Sequence, residues 1–289
     1  MRLTDAAAIW GAGLELGLAT IRREPVLGLK RLVLPSSYWR TAEFAYVFRQ
    51  LDLPRGARVL DLGSPKDLAL MLARKRGYHV TATDIRPEAV ELCERFARAQ
   101  GIIGDGPGQV RCEVQDGRRL TYPTGHFDAV YSVSVVEHIP DQGDTSAIQE
   151  LVRVTRPGGR VVVTTPHDRG YRETFLTPHD HWYREAFFSQ DDYERAARTA
   201  QPVFWERHYD GEALERRLVA PSGARLVNRE VWGEGGFRGE QALARLGAVR
   251  ILLSPFEAAF AAGSLKHMRD EADAGHPMAM FFTLERPEL

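Results

Sequence analysis

Cysteine is nearly missing from this chain: Cys93 and Cys112 are the only two in 289 residues. Two thiols cannot build a disulfide framework or a four-ligand zinc set, and their scarcity fits a reducing, cytoplasmic setting. Net charge is almost absent too, at -1. The arginines are scattered rather than arranged in a stripe, so no nucleic-acid partner is indicated. Long unbroken apolar runs are lacking as well. The run from Met1 to Thr20 is interrupted by Asp5 and Glu15 and leads to no clean cleavage context, which argues against an export signal. The apolar stretch at 243–265 is broken by Arg245, Arg250, Pro255 and Glu257, and falls short of a membrane-spanning helix. Low-complexity tracts are missing, and the short echo between 167–173 and 179–185 is too brief to be a repeat.

What remains is an ordinary core-forming composition, 44% apolar and 27% charged, with length for one large α/β domain plus additions. Residues 5–34 read as one or two amphipathic helices kinked or broken at Pro25, with Arg22, Arg23, Lys30 and Arg31 on a basic face. Such a segment packs as a lid on the domain, or lies on a membrane surface. A helix at 41–51 leads into a strand at 57–62, a helix at 66–76, a strand at 79–84 and a helix at 87–100 that begins with Pro87. After the Gly-rich loop 101–108 comes a strand at 110–115, which reaches Asp116. The run 127–133 is nearly all apolar, as a buried parallel strand should be. A helix at 145–155 stops at Pro157-Gly158-Gly159, and a strand at 160–165 ends at Pro166. The tail offers two more strands, 225–232 and 278–285, around a long, partly helical insertion. Alternating strands and helices demand crossover connections and a mostly parallel sheet.

The densest information lies between Arg58 and Asp84. An apolar strand ends in a small-residue turn at Gly63, a helix starts, and a second strand stops at an acid about 20 residues on, the layout that grips a nucleoside-bearing cofactor. Gly63 can take positive φ, which lets the backbone approach a ligand. The helix-end N–H groups beyond Ser64 and Pro65 can meet a carboxylate. Asp61 can reach an amino group through water or backbone, and Asp84, followed by Ile85, can accept hydrogen bonds from both hydroxyls of a ribose.

Val59-Leu-Asp-Leu-Gly-Ser-Pro-Lys-Asp, Thr83-Asp84, Asp116-Gly117, Phe127-Asp-Ala-Val-Tyr-Ser-Val-Ser-Val-Val-Glu-His-Ile and Arg156-Pro-Gly-Gly-Arg, in that order across about 55–166, resemble the class I S-adenosylmethionine-dependent methyltransferases. The resemblance implies a doubly wound, mostly parallel seven-stranded sheet with a reversed last strand. It implies a methyltransferase domain over 53–289, with insertions at about 167–215 and 237–275, behind an N-terminal helical lid at 1–52. It also implies S-adenosylmethionine as cofactor, with Asp116 accepting from the adenine amino group, Gly117 and Arg118 flanking the ring, and Ser132 and Val133 lining the path of the sulfonium to the acceptor. One departure stands out. The usual turn is Gly-x-Gly-x-Gly, whereas Pro65 and Asp67 occupy the second and third glycine positions here. That change leaves two rivals open: a reaction on this fold without methyl transfer, such as a cyclisation, and a binding protein on a degenerate domain.

Methyl transfer to oxygen, nitrogen or carbon needs alignment, and a base only where the nucleophile must lose a proton. His167, after the fifth strand, is the first candidate base, and His138, after the fourth, is the second. His167, Asp168, His179, Asp180 and His181 could instead gather as metal ligands or form a solvated loop; no metal is expected. The aromatic residues Tyr171, Phe175, Trp182, Tyr183, Phe187, Phe188, Tyr193, Phe204, Trp205 and Tyr209, with the amphipathic N-terminus, lead us to expect a small, apolar acceptor such as a lipid, polyketide or isoprenoid.

Overall fold

Each central strand sends alternate side chains to opposite faces, and the two apolar clusters of the protein divide along that alternation. Val59, Ala129, Val162 and Phe281 belong to one, whereas Leu60, Val130, Val161, Val163 and Phe282 belong to the other. Helices must therefore cover both faces. The computed structural model describes residues 2–187, 190–235, 238–268 and 276–288; Phe188, counted above among the aromatics, lies outside them.

The main sheet is built from β1 (Arg58–Leu62), β2 (His79–Asp84), β3 (Val110–Val114), β4 (Phe127–Val133), β5 (Thr155–Pro166), β8 (Arg225–Glu234), β9 (Leu265–Met268) and β10 (His276–Glu285), in the order β3-β2-β1-β4-β5-β10-β8-β9. The sheet has eight strands where seven were expected. The extra one is β9, which pairs antiparallel with the end of β8 and comes from the insertion before β10. The last strand is reversed as anticipated: β10 runs antiparallel to both β5 and β8 and sits between them.

On one face, α1 (Leu3–Ile21), α3 (Tyr38–Gln50), α4 (Lys66–Arg76) and α5 (Pro87–Ala99) share a core with β1, β5 and β10. The N-terminal helices are thus wedged into the core. Tyr46 on α3 bonds Thr283 of β10 and Asn228 of β8 through its hydroxyl. The hairpin between α1 and α2 (Pro25–Val33) is so close that a Cβ on Gly28 would lie 2.5 Å from the Ile21 backbone. The opposite face is covered by α6 (Gly143–Val154) and residues 213–219.

The insertion after β5, read as helical and aromatic, contains strands as well as a helix at Gln190–Thr199. It forms a separate antiparallel ribbon, β6 (Arg172–Leu176) with β7 (Val203–His208). No described helix is long and apolar enough to cross a membrane.

Candidate cofactor and acceptor cavities

The sheet order reverses between β1 and β4, where crossovers leave opposite ways and a crevice opens at the strands' C-terminal ends. A cavity of about 770 Å³ sits there. Gly63, Ser64, Pro65, Asp84, Ile85, Asp116, Gly117 and His138 all line it. Residues separated by more than 70 positions in the chain thus converge on one space because three strand ends and the turn after β4 meet there.

The floor is the turn after β1. Gly63 has φ +67°, and a Cβ there would stand 2.7 Å from Val135 Cγ1, so conformation and space both require glycine. Asp61 and Ser64 lock the turn from behind: the Ser64 N–H donates to Asp61 Oδ1 at 3.1 Å, and the Val133 N–H donates to Ser64 Oγ at 2.9 Å. Asp61 is fully buried, and its Oδ2 accepts no hydrogen bond. Burial pushes its carboxyl up to about 6, with Lys66 and Ser64 pulling the other way.

Lys66 takes a place that the sequence reading did not assign. Its Nζ donates to the Thr83 carbonyl at 2.8 Å, pairs with Asp84 Oδ2 at 3.2 Å and lies 3.9 Å from Asp61 Oδ2. Asp84 Oδ1 accepts from the Arg86 N–H at 3.1 Å. The third acid is also engaged: the Arg118 guanidinium forks onto both oxygens of Asp116 and holds that carboxyl below its ordinary range. A carboxylate has about four acceptor positions; Asp84 retains capacity for a ligand, whereas Arg118 alone directs four contacts at Asp116, from its N–H at 2.9 Å and from its guanidinium at 2.7, 3.0 and 3.1 Å. Asp67, at the last glycine position of the motif, is tied to Arg31 of α2 at 3.0 Å, so α2 braces the altered turn.

Ser132 and Val133 stay buried in β4 and do not line the cavity; the lining residues are Ser134 and Val135. The Ser132 hydroxyl instead donates to the Leu62 carbonyl at 3.2 Å. Ser134 has φ +53°, a left-handed conformation that costs a non-glycine residue about 1 kcal/mol or more. It is held by a buried junction. Its Oγ donates to Glu43 Oε1 at 2.6 Å and accepts from Arg40 at 3.0 Å, while Glu43 also takes the Arg40 ion pair at 2.6 Å and the Thr164 hydroxyl at 2.9 Å. Glu43 was missed in the sequence, although Arg and Glu three apart on one helix is the spacing of facing partners.

Arg40 and Ser134 also line a second cavity of about 770 Å³, which contains His167, Tyr38, Trp39 and Thr165. Its wall is more polar than the aromatic insertion suggested. Arg169, Arg172, Arg238 and Arg250 face it together with Glu43, Asp168, Glu234 and Glu240. The aromatics expected there cover the first cavity instead, through Trp182, Phe204 and Trp205. Most others pair among themselves, as Tyr183 does with Phe187 and Tyr193.

The two candidate histidines are therefore divided between the cavities. His138 donates through Nδ1 to the Trp205 carbonyl at 2.8 Å, and burial lowers its pKa, so it is neutral at pH 7. His167, 1% exposed, donates through Nδ1 to the Tyr209 carbonyl at 2.6 Å. A carbonyl can only accept, so in the neutral form of either ring Nε2 is the acceptor nitrogen. His179, Asp180 and His181 are exposed and line neither cavity. Among the described residues no three His, Cys, Asp or Glu side chains gather closely enough to hold a metal ion.

Comparison with known proteins agrees with this geometry. A family model described as "Methyltransferase domain" matches residues 60–163. A ubiquinone biosynthesis O-methyltransferase of Xanthomonas oryzae is 38% identical over 121 residues, 42% of this chain and 47% of that protein. A 2-methyl-6-phytyl-1,4-hydroquinone methyltransferase of Synechocystis is 33% identical over 127 residues, 43% of this chain and 36% of its own. The chain thus spans about half or less of the curated relatives it matches. Among solved structures, the cyclase SpnF superposes with a TM-score of 0.54 at 22% identity, covering 87% of this chain and 84% of that one; the likeness is one of fold.

Proposed function

We propose that this chain, which carries a class I S-adenosylmethionine-dependent methyltransferase domain, transfers a methyl group to a hydroxyl oxygen of a small amphiphilic acceptor held in the second cavity. The observation that carries this reading is the junction at Arg40 and Ser134, where a cavity suited to the cofactor adjoins one that contains a buried histidine. The first cavity fits S-adenosylmethionine: Gly63 leaves room for backbone approach, Asp84 faces the space for a ribose, and Asp61 keeps an unbonded carboxylate oxygen behind the turn.

When bound, the cofactor supplies an electrophilic methyl group. The residues of the chain hold it, orient the acceptor and manage one proton. His167 Nε2 takes the acceptor's hydroxyl proton as the oxygen attacks, and the Tyr209 carbonyl keeps the ring in the required tautomer. His138 braces the loop after β4 against Trp205. The name of the Xanthomonas relative, an O-methyltransferase, supports an oxygen acceptor, and that of the Synechocystis relative a hydroquinone head with an apolar tail.

The test is incubation with methyl-labelled cofactor and a panel of prenylated phenols, catechols and hydroquinones. Label in an ether product supports the reading. A protein that binds cofactor yet labels nothing in the panel favours the rival without methyl transfer. In the active system, His167→Ala is expected to lower kcat by about two orders of magnitude, the usual weight of a general base. Affinity for S-adenosylhomocysteine should stay within twofold of the parent; a fall in that affinity with kcat unchanged would remove His167 from this role.

Asp61 makes cofactor affinity depend on pH. The cofactor's ammonium favours the carboxylate over the neutral acid, so binding should tighten as pH rises from 5 to 7 through the Asp61 value of about 6. The free protein responds oppositely. Its folded state keeps this proton to higher pH than the unfolded chain, so the Asp61 contribution to stability declines as pH rises from the ordinary carboxylate range to about 6. Titration calorimetry from pH 5 to 7.5 on the parent and Asp61→Asn checks this; the variant's profile should be flatter.

A further inference from the structure

Eight of the twelve large apolar side chains left exposed among the described residues fall in two segments: Leu3, Leu18, Val26 and Leu29 on α1 and α2, and Val249, Leu252, Leu253 and Phe256 after the helix at 239–245. The segments touch. Residues 254–256 pack against α2, and the Ser254 hydroxyl donates to the Val33 carbonyl at 2.6 Å. The close α1–α2 hairpin commits its inner side, at Gly13, Gly17 and Gly28, to contacts within the protein, while Val26 and Leu29, three apart on one helical face, remain outside it.

Charge selects the occupant of this face. Residues 22–33 and 245–256 carry Arg22, Arg23, Lys30, Arg31, Arg245 and Arg250 against Glu24 alone. Glu24 is itself paired with Arg95, Arg31 with Asp67 and Arg250 with Glu257, and the two acids of α1, Asp5 and Glu15, are paired with Arg2 and Lys75. A second copy docking by the same face would set these cations against one another. An anionic lipid surface complements them, and apolar side chains ringed by cations are the composition of an interfacial anchor.

The face is continuous with the acceptor cavity. Arg250 lines that cavity, and two residues further the chain turns Leu252 and Leu253 outward. Glu257, which holds Arg250 through both carboxylate oxygens, also accepts from the N–H of Tyr38 at 3.0 Å, and Tyr38 lines the same cavity. We propose that α1–α2 and residues 249–256 form one docking face for an anionic phospholipid surface, with the acceptor cavity beside it. This deepens the reading of an amphiphilic acceptor, but it is tested by binding, which does not depend on methyl transfer.

The experiment is vesicle co-sedimentation with phosphatidylcholine alone and with added phosphatidylglycerol, at low and high salt. The parent is expected to bind the anionic vesicles at least about tenfold more tightly, and salt should weaken that preference. A variant carrying Val26→Ser, Leu29→Ser, Leu252→Ser and Phe256→Ser should lose about tenfold or more of that binding, with thermal unfolding and S-adenosylhomocysteine affinity unchanged. Arg22→Gln with Lys30→Gln should remove mainly the preference for anionic lipid. The proposal is overturned if the parent does not bind anionic vesicles at low salt, if the four-serine variant binds as the parent does, or if the parent sediments alone as a dimer that this variant dissociates.

Discussion

Asp84→Ala should weaken cofactor binding by two orders of magnitude or more, measured by titration calorimetry with S-adenosylhomocysteine. Asp84 closes β2 at the cavity wall, 8% exposed, with Oδ1 on the Arg86 N–H and Oδ2 on Lys66. A ribose diol would add two charge-assisted hydrogen bonds in a shielded place. Each is worth about 1.5–3 kcal/mol, and together they correspond to a loss of roughly a hundredfold or more. The same change strips Lys66 of its partner, a second route to weaker binding. The double variant Asp84→Ala, Lys66→Gln separates the two. If the loss reflects the diol, binding stays weak in the double variant; if it reflects an uncompensated ammonium, much of it returns. Binding by Asp84→Ala as tight as the parent's would remove Asp84 from cofactor recognition altogether.

The parts of this architecture that could be read in advance are those where one local rule decides the outcome. The apolar runs at 57–62 and 127–133 had to be buried parallel strands, and a strand that ends at Gly63 or Asp84 places that residue at a sheet edge whatever the rest of the chain does. Tertiary contacts decided the remainder. Ser132 and Ser134 look alike in sequence; only the end of β4 at Val133 and the left-handed turn at Ser134 bury one within the sheet and bring the other to the cavity. β6 and β7 carry no clean alternation, since Arg172, Glu173, Glu206 and Arg207 serve ion pairs as well as the ribbon. β9 is four residues long, too short for a periodic signal. The acceptor side read as aromatic because its rings are abundant nearby in sequence. Yet those rings fold over the first cavity, and the second draws its charged wall from α3, from Asp168, Arg169 and Arg172 beside the rings, and from residues 234–250.

Asp144→Ala should cost about 3 kcal/mol or more of unfolding free energy, read by urea denaturation with far-ultraviolet circular dichroism. Asp144 is fully buried and accepts from the Tyr209 hydroxyl at 2.9 Å and from Arg217 at 2.7 and 2.8 Å, with Arg207 Nε 3.9 Å away. Removing one partner of such a cluster leaves buried cations without a counter-charge, a change that typically costs 3–5 kcal/mol. The burial of Arg207, 1% exposed, makes this loss larger than that of a surface pair, although its bonds to the Ile139 and Asp141 carbonyls and to Glu173 soften it. The consequence extends to the proposed base, because the same tyrosine holds His167: the Tyr209 carbonyl accepts from His167 Nδ1 and from the Asp168 N–H. Tyr209→Phe isolates that link. It removes one hydrogen bond to Asp144, worth about 1 kcal/mol, and keeps the backbone carbonyl. If Asp144 only holds the ribbon against α6, Tyr209→Phe leaves kcat unchanged. If the carboxylate also steadies the tyrosine that orients the base, kcat falls several-fold while affinity for S-adenosylhomocysteine holds. A loss below about 1 kcal/mol in Asp144→Ala would show that the arginines find other partners and that the ribbon stands without this anchor.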